Sequence, residues 1–178
     1  MNILKHHYDS VIRYDIITKF HKVTPCSVNN LRKLVLNFNI KGVNLKFLLS
    51  SISALELISS QRALITLASC SNISLKIKKG SPIGCKVTLR KRSLHSFFLD
   101  LVSRILPDIK QFEGFMSFKV RKSKSVSFKL KNIFNFTVIA NHYELFRSIS
   151  NLDISIITSS ANINNLNVLL TSFRFPMK

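Results

Sequence analysis

The feature that most constrains the fold lies between residues 73 and 90, where apolar and polar side chains alternate in period two. Ile73, Leu75 and Ile77 alternate with Ser74, Lys76 and Lys78, and Cys85, Val87 and Leu89 alternate with Lys86, Thr88 and Arg90. Alternation sends successive side chains to opposite faces of a strand. Gly80-Ser81-Pro82-Ile83-Gly84, between the two runs, has turn-forming chemistry. The residues predict two half-buried strands joined by that turn, with every cation on the face away from the core.

Elsewhere the period changes. Leu4, Tyr8, Val11, Ile12 and Ile16 form one stripe of an amphipathic helix over residues 2–20, and Pro25 ends that neighbourhood. From Leu31 to Asn39, Leu34, Leu36 and Phe38 face one way and Lys33, Val35 and Asn37 the other, which predicts a half-buried strand. Leu45, Leu48, Leu49, Ile52, Leu55 and Ile58 predict a helix over 44–59 packed on the sheet, followed by a short strand at 63–67. Leu94, Phe97, Phe98, Leu101, Val102 and Ile105 predict a helix that stops at Pro107. Phe118 and Val120, then Val126, Phe128 and Leu130, predict a second basic hairpin over residues 117–131 with Arg121-Lys122-Ser123-Lys124 at its tip. Leu152, Ile154 and Ile156 form a last strand, and Ile163, Leu166, Leu169, Leu170 and Phe173 a last helix. Strands and helices mix without strict βαβ order. The expected architecture is α+β, a single domain over 1–178, with a mostly antiparallel sheet and helices packed on one face.

Charge narrows the function. The chain carries 27 Lys and Arg against 8 Asp and Glu, a formal charge of +19, and this imbalance points to a polyanionic partner. The charge is blocked. Between Glu56 and Asp100 stand Arg62, Lys76, Lys78, Lys79, Lys86, Arg90, Lys91 and Arg92 with no acid, and between Glu113 and Glu144 six more cations with no acid. One such run reads as a solvated surface; two on predicted hairpins favour RNA or DNA binding, where each neutralised phosphate releases counterions. With 46% hydrophobic residues the chain also has the apolar surface to build a core.

Catalysis finds no constellation. The carboxylates are spread thinly, and His6, His7, His21, His95 and His142 have no Cys or carboxylate partner at ligand spacing. Cys26, Cys70 and Cys85 are too few and too far apart for a zinc motif. Neither a metal nor a cofactor is expected. The longest charge-free run, Ile154 to Phe173, is broken by Asn162, Asn164, Asn165 and Asn167, so no membrane span is expected. Lys5, Asp9 and Asp15 give the first residues the character of neither a secretory signal nor a transit peptide. The 20 Ile, 14 Phe and 15 Asn are residues of A/T-rich codons, which suggests an A/T-rich genome such as an organellar one.

At the first basic hairpin a resemblance emerges. Gly80-Ser81-Pro82-Ile83-Gly84-Cys85-Lys86-Val87-Thr88-Leu89-Arg90 resembles the Gly-x-Pro-Ile-Gly-x-Lys-Val-Thr-Leu-Arg signature of the universal large-subunit ribosomal protein five family, bacterial and organellar type. Leu34-Val35-Leu36-Asn37, Leu57-Ile58-Ser59-Ser60-Gln61-Arg62, Leu106-Pro107-Asp108-Ile109-Lys110-Gln111-Phe112-Glu113-Gly114, Leu152-Asp153-Ile154-Ser155-Ile156-Ile157-Thr158 and Phe173-Arg174-Phe175-Pro176 follow the family's landmarks in order. The resemblance covers the whole chain.

It implies a non-catalytic protein of the central protuberance that holds 5S rRNA, or a replacement RNA or protein where 5S is absent. Asn37, Gln61, Lys86, Thr88, Arg90 and Arg92 become candidate rRNA-binding residues. Residues 71–83 correspond to the family's tRNA-facing loop, so Ser71, Asn72, Lys76, Lys78 and Lys79 become candidates for P-site tRNA, and the strand read at 73–79 competes with a loop. Further implied partners are large-subunit rRNA, neighbouring central-protuberance proteins and a small-subunit head protein across an intersubunit bridge.

The chain departs from the family in the second hairpin, where glycines and acids give way to basic residues. Arg121, Lys122 and Lys124 are candidate additional RNA contacts. This drift and the composition point to the mitochondrial matrix, with plastid or bacterial cytoplasm as alternatives. The competing functions are an organellar RNA-processing factor not stably bound to the ribosome, and a peripheral membrane protein using its Lys-rich face.

Overall fold

In a computed structural model, residues 3–20, 28–39, 45–109, 114, 125–149, 151–160 and 163–177 are described. The helices are α1 (Ile3–His7), α2 (Arg13–Phe20), α3 (Leu45–Ser59), α4 (Lys91–Asp100), α5 (Thr137–Ala140), α6 (Tyr143–Phe146) and α7 (Ile163–Ser172). The strands are β1 (Leu31–Asn39), β2 (Leu64–Leu67), β3 (Pro82–Leu89), β4 (Ser125–Leu130) and β5 (Leu152–Thr158). They form a five-stranded antiparallel sheet in the order β2-β3-β1-β5-β4, so the fold is α+β. A π turn at Tyr8–Ile12 links α1 to α2, and another at Leu101–Ile105 extends α4 to the Pro107 boundary.

Two compact units divide the chain. The first comprises Met1–Leu34, Arg90–Ser127 and Ser155–Lys178, and the second Val35–Leu89 and Phe128–Ile154. The first is built on aromatic packing. Phe98 of α4 is fully buried, meets Phe173 edge-on at 5.6 Å between ring centroids and stacks on Phe175 at 5.9 Å. Tyr8 stacks on Phe173 at 6.0 Å and donates its hydroxyl hydrogen bond to the Asn29 carbonyl at 2.8 Å. Leu4, Ile12 and Ile16 are buried as their spacing predicts, while Val11 is exposed. The π turn adds a residue to the helical register there, which shifts where each side chain points.

In the second unit, α3 packs against β3. Its buried face is Leu48, Ser51, Ala54, Leu55 and Ser59. Small side chains at three of these positions let the helix lie close to the sheet. Leu45 and Leu49, read from sequence as core, are instead exposed, because the small-residue face wins the closer contact. Helices α5 and α6 pack on α3, and at four residues each they are too short for a periodic signal to have revealed them.

The run at 73–79 requires a correction. Those residues form no strand; Asn72 and Ile77 make one isolated antiparallel bridge around a tight turn. Ile73 and Leu75 have no core to enter and are 93% and 63% exposed. The hairpin partner of β3 is β2, with Leu64 opposite Lys86, Ile65 opposite Cys85 and Thr66 opposite Gly84. Since β3 lies between β2 and β1, both its edges are already taken. Pro82, Ile83 and Gly84, expected in a turn, open β3 instead. Of the second basic hairpin, β4 is present, while the tip Arg121-Lys122-Ser123-Lys124 lies outside the described residues.

Candidate nucleic-acid interface

Within the second unit, alternation gives the sheet an open polar side. Leu36 and Phe38 of β1 and Cys85, Val87 and Leu89 of β3 are buried, so Asn37, Lys86 and Thr88 point the other way. Asn37 and Thr88 are half-buried and Lys86 is exposed, as their strand positions predict. The Asn37 amide Nδ2 donates to Asn39 Oδ1 at 2.9 Å, and Asn39 Nδ2 donates to Asp153 Oδ2 at 2.8 Å. Lys129 Nζ stands 3.7 Å from Asp153 Oδ1. The one acid in this array is thus ion-paired and hydrogen-bonded, which reduces its repulsion of a polyanion. Asn37 keeps its Oδ1 as an acceptor, suited to a ribose 2′-hydroxyl.

Sequence reasoning missed Asn39, Asp153 and Lys129. The available signal was that Asn39 is two residues beyond Asn37 and so shares its strand face. The partner strand could not be read that way.

Close packing holds β3 to its neighbour. A Cβ on Gly84 would collide with the Phe38 carbonyl oxygen and lie 3.0 Å from Thr66 Oγ1, so the motif glycine admits β1 and β2 at this point. Cys85 beside it is fully buried; burial pushes its thiol up to about 12, against an opposing hydrogen bond with the Phe38 backbone. A neutral buried thiol is neither ligand nor nucleophile.

Gln61 is placed by the end of α3. Ser60 takes the left-handed conformation at φ 51°, and its N–H reaches the Glu56 carbonyl at 2.8 Å. The Ser59 hydroxyl donates to the Leu55 carbonyl at 2.6 Å and accepts the Gln61 N–H at 3.3 Å, while Glu56 Oε1 accepts the Ala63 N–H at 3.0 Å. The backbone of Gln61 therefore belongs to a helix-ending turn that opens onto β2.

The loop between β2 and β3 is stapled at two levels. At its base, Ala68 N–H donates to the Ser81 carbonyl and Gly80 N–H to the Ala68 carbonyl, both at 2.9 Å, with Gly80 at φ 83°. At its tip, Asn72 and Ile77 exchange backbone hydrogen bonds at 2.8 and 3.0 Å, and Asn72 Oδ1 accepts from the Ser74 N–H at 3.1 Å and hydroxyl at 2.6 Å. Lys76, at φ 54°, closes the turn. Ser71, Asn72, Lys76, Lys78 and Lys79 are all exposed, and the structure brings these five candidates onto one protruding hairpin-like loop.

Arg90 and Arg92 fall in the first unit at the start of α4. Arg90 is extended, Lys91 is left-handed at φ 51°, and no side chain caps the helix. Arg90, Lys91 and Arg92 are exposed. Three cations at the positive end of a helix dipole repel it by about 0.3–1 kcal/mol each.

Among the described residues no group of three His, Cys, Asp or Glu could hold a metal ion, and no helix is long and apolar enough to cross a membrane. His95 Nδ1 is buried without a hydrogen-bond partner, and burial, reinforced by Lys5, pulls the pKa below the usual histidine value. The ring is half-buried, on a helix that packs against α1.

Residues 82–177 match the C-terminal model of the ribosomal L5 protein family. Over 99% of its length the chain is 34% identical to 98% of the large ribosomal subunit protein uL5m of Reclinomonas americana. It is 36% identical to the uL5 protein of Buchnera aphidicola (100% of this chain, 99% of the relative) and 32% identical to that of Blochmanniella floridana (98% and 92%).

Proposed function

The chain belongs to the ribosomal L5 family of large-subunit proteins, and on that premise we propose that it holds 5S rRNA on its open sheet face and presents its β2–β3 loop to P-site tRNA. The family is structural and non-catalytic, and the role of the chain is that of a large-subunit constituent in translation. On this reading it sits in the central protuberance, and the ribosome is a mitochondrial one, an assignment of organelle supported by the A/T-codon composition and the similarity to uL5m.

The observation that carries this reading is the separation, within one unit, of a polar sheet face from a cationic loop. Asn37, Lys86 and Thr88 lie on the sheet beside a neutralised acid. Short amides and hydroxyls there suit the ribose and shape of a fixed RNA. Lys76, Lys78 and Lys79 project on a stapled loop. Point charges that read no base suit a partner that changes at every elongation step. Gln61, Arg90 and Arg92 supplement the rRNA contacts, and Arg121, Lys122 and Lys124 extend them from the second basic segment. The contact with a small-subunit head protein carries no residue assignment.

Density-gradient sedimentation tests the premise directly. In low salt the chain runs with the large subunit; a chain left at the top of the gradient overturns the reading. Lys78→Glu/Lys79→Glu leaves incorporation intact and lowers P-site tRNA occupancy roughly tenfold, a loss that added salt reduces. Arg90→Glu weakens incorporation itself. Equal effects of both variants on incorporation contradict the division of roles.

A further inference from the structure

Four side chains of the second unit form one polar row across three neighbouring strands: Lys129 on β4, Asp153 on β5, and Asn39 and Asn37 on β1. Lys129 Nζ stands 3.7 Å from Asp153 Oδ1, Asn39 Nδ2 donates to Asp153 Oδ2 at 2.8 Å, and Asn37 Nδ2 donates to Asn39 Oδ1 at 2.9 Å. The row ends on Asn37.

The chemistry of its members gives the row a direction. A side-chain amide can turn over and exchange its donor for its acceptor, but an ionised carboxylate only accepts and an ammonium only donates. Lys129 takes one carboxylate oxygen of Asp153 and leaves the other to Asn39. Asn39 must then turn its NH2 group to the acid, which brings its carbonyl round to Asn37 and makes Asn37 the donor between the two amides. The polarity of Asn37 is therefore set two amides away from the charge. Its Oδ1 is the atom left to face a partner on the sheet.

That atom selects among the groups of a nucleic acid. A phosphate oxygen has no proton to give, and against a carbonyl oxygen it meets only like partial charge. A ribose 2′-hydroxyl has a proton to donate, and it is the group by which RNA differs from DNA. Exposed Lys86, on the same side of the sheet, offers a cation to the phosphates instead.

We infer that Asp153 is a positioning residue which, acting through Asn39, makes Asn37 a hydrogen-bond acceptor for a ribose 2′-hydroxyl. The inference rests on the rRNA reading above and deepens it by naming the chemical group that one side chain reads and the acid that sets it to do so.

The experiment binds the full chain to 5S rRNA transcripts that carry single 2′-deoxy nucleotides at random positions, and compares bound and unbound pools position by position. The parent chain should disfavour the deoxy nucleotide roughly fivefold at one or two positions, the effect of one lost hydrogen bond. In Asp153→Asn the new amide can donate to Asn39 as well as accept from it, and in Asn39→Ala the row is cut at an exposed side chain. Both variants should lower that discrimination below about twofold and leave all other positions unchanged. In the free chain, the side-chain NH2 resonances of Asn37 should also move in Asp153→Asn, although Asn39 stands between the two. Equal discrimination in all three proteins, a loss spread evenly over every position, or unmoved Asn37 resonances overturns the role of Asp153. A parent chain that binds the transcript without 2′-deoxy discrimination overturns the inference alone, whereas one that leaves the transcript unbound overturns the 5S rRNA reading and the inference with it.

Discussion

Residues 73–79 and 83–89 are neighbours in sequence with the same alternation of apolar and polar side chains, and they end in opposite environments. Cys85, Val87 and Leu89 are buried in β3, whereas Ile73 and Leu75 stand outside on the loop. What differs is company. β3 has β2 on one side, β1 on the other and α3 packed against it; the loop has one bridge between Asn72 and Ile77. Alternation states which face of a segment could be buried, but burial needs a lateral partner for the backbone and a layer for the side chains. The segment deprived of both is left with its lysines and apolar tips available to another molecule.

The sharpest way to break this comparison is to truncate one leucine on each side of it. Leu89→Ala should cost about 2–5 kcal/mol in urea unfolding through lost burial and a cavity. Leu75→Ala should stay within about 0.5 kcal/mol of the parent chain, as an exposed substitution does. Similar costs for the two would mean that the loop tip is packed after all.

Gly84→Ala comes next, at about 1–3 kcal/mol, since its Cβ drives into the Phe38 carbonyl and forces β3 away from β1. Melting temperature and backbone amide exchange of β1 report it together. An unchanged exchange pattern at Phe38 would show that the strands are not held at this point. Of the two glycines the smaller effect belongs to Gly80→Ala. No atom lies within 4 Å of the added carbon, and the cost is only that of a side chain at φ 83°, about 1 kcal/mol. If Gly80→Ala cost as much as Gly84→Ala, the distinction between a conformational glycine in the loop and a packing glycine in the strand would fail.

Much of this was legible before the structure. The alternating run of β1 already sent Asn37 outward, and the run at 85–90 sent out Lys86 and Thr88, because a period of two leaves no other assignment once one face is apolar. The aromatic and aliphatic stripe of α4 was equally plain. The polar array around Asn37 was not, since Asn39 and Asp153 are 114 residues apart and meet only through the placement of β5 beside β1. Nor was the outward turn of Leu45 and Leu49 visible. Their spacing fits a buried stripe, and only the close seat of Ser51, Ala54 and Ser59 directs them away.

By itself, then, the sequence determined the periods, the polarity of each face, the two acid-free blocks and the family motif that runs from Gly80 to Arg90. These are local properties, set by residue chemistry and by backbone geometry that repeats every two or 3.6 residues. Tertiary structure decided which alternating run became a strand, which face of α3 went inward and which acid was neutralised beside Asn37. Each of those outcomes depends on competition among distant segments for the same edge or the same layer, and a pattern read along the chain carries no record of its competitors.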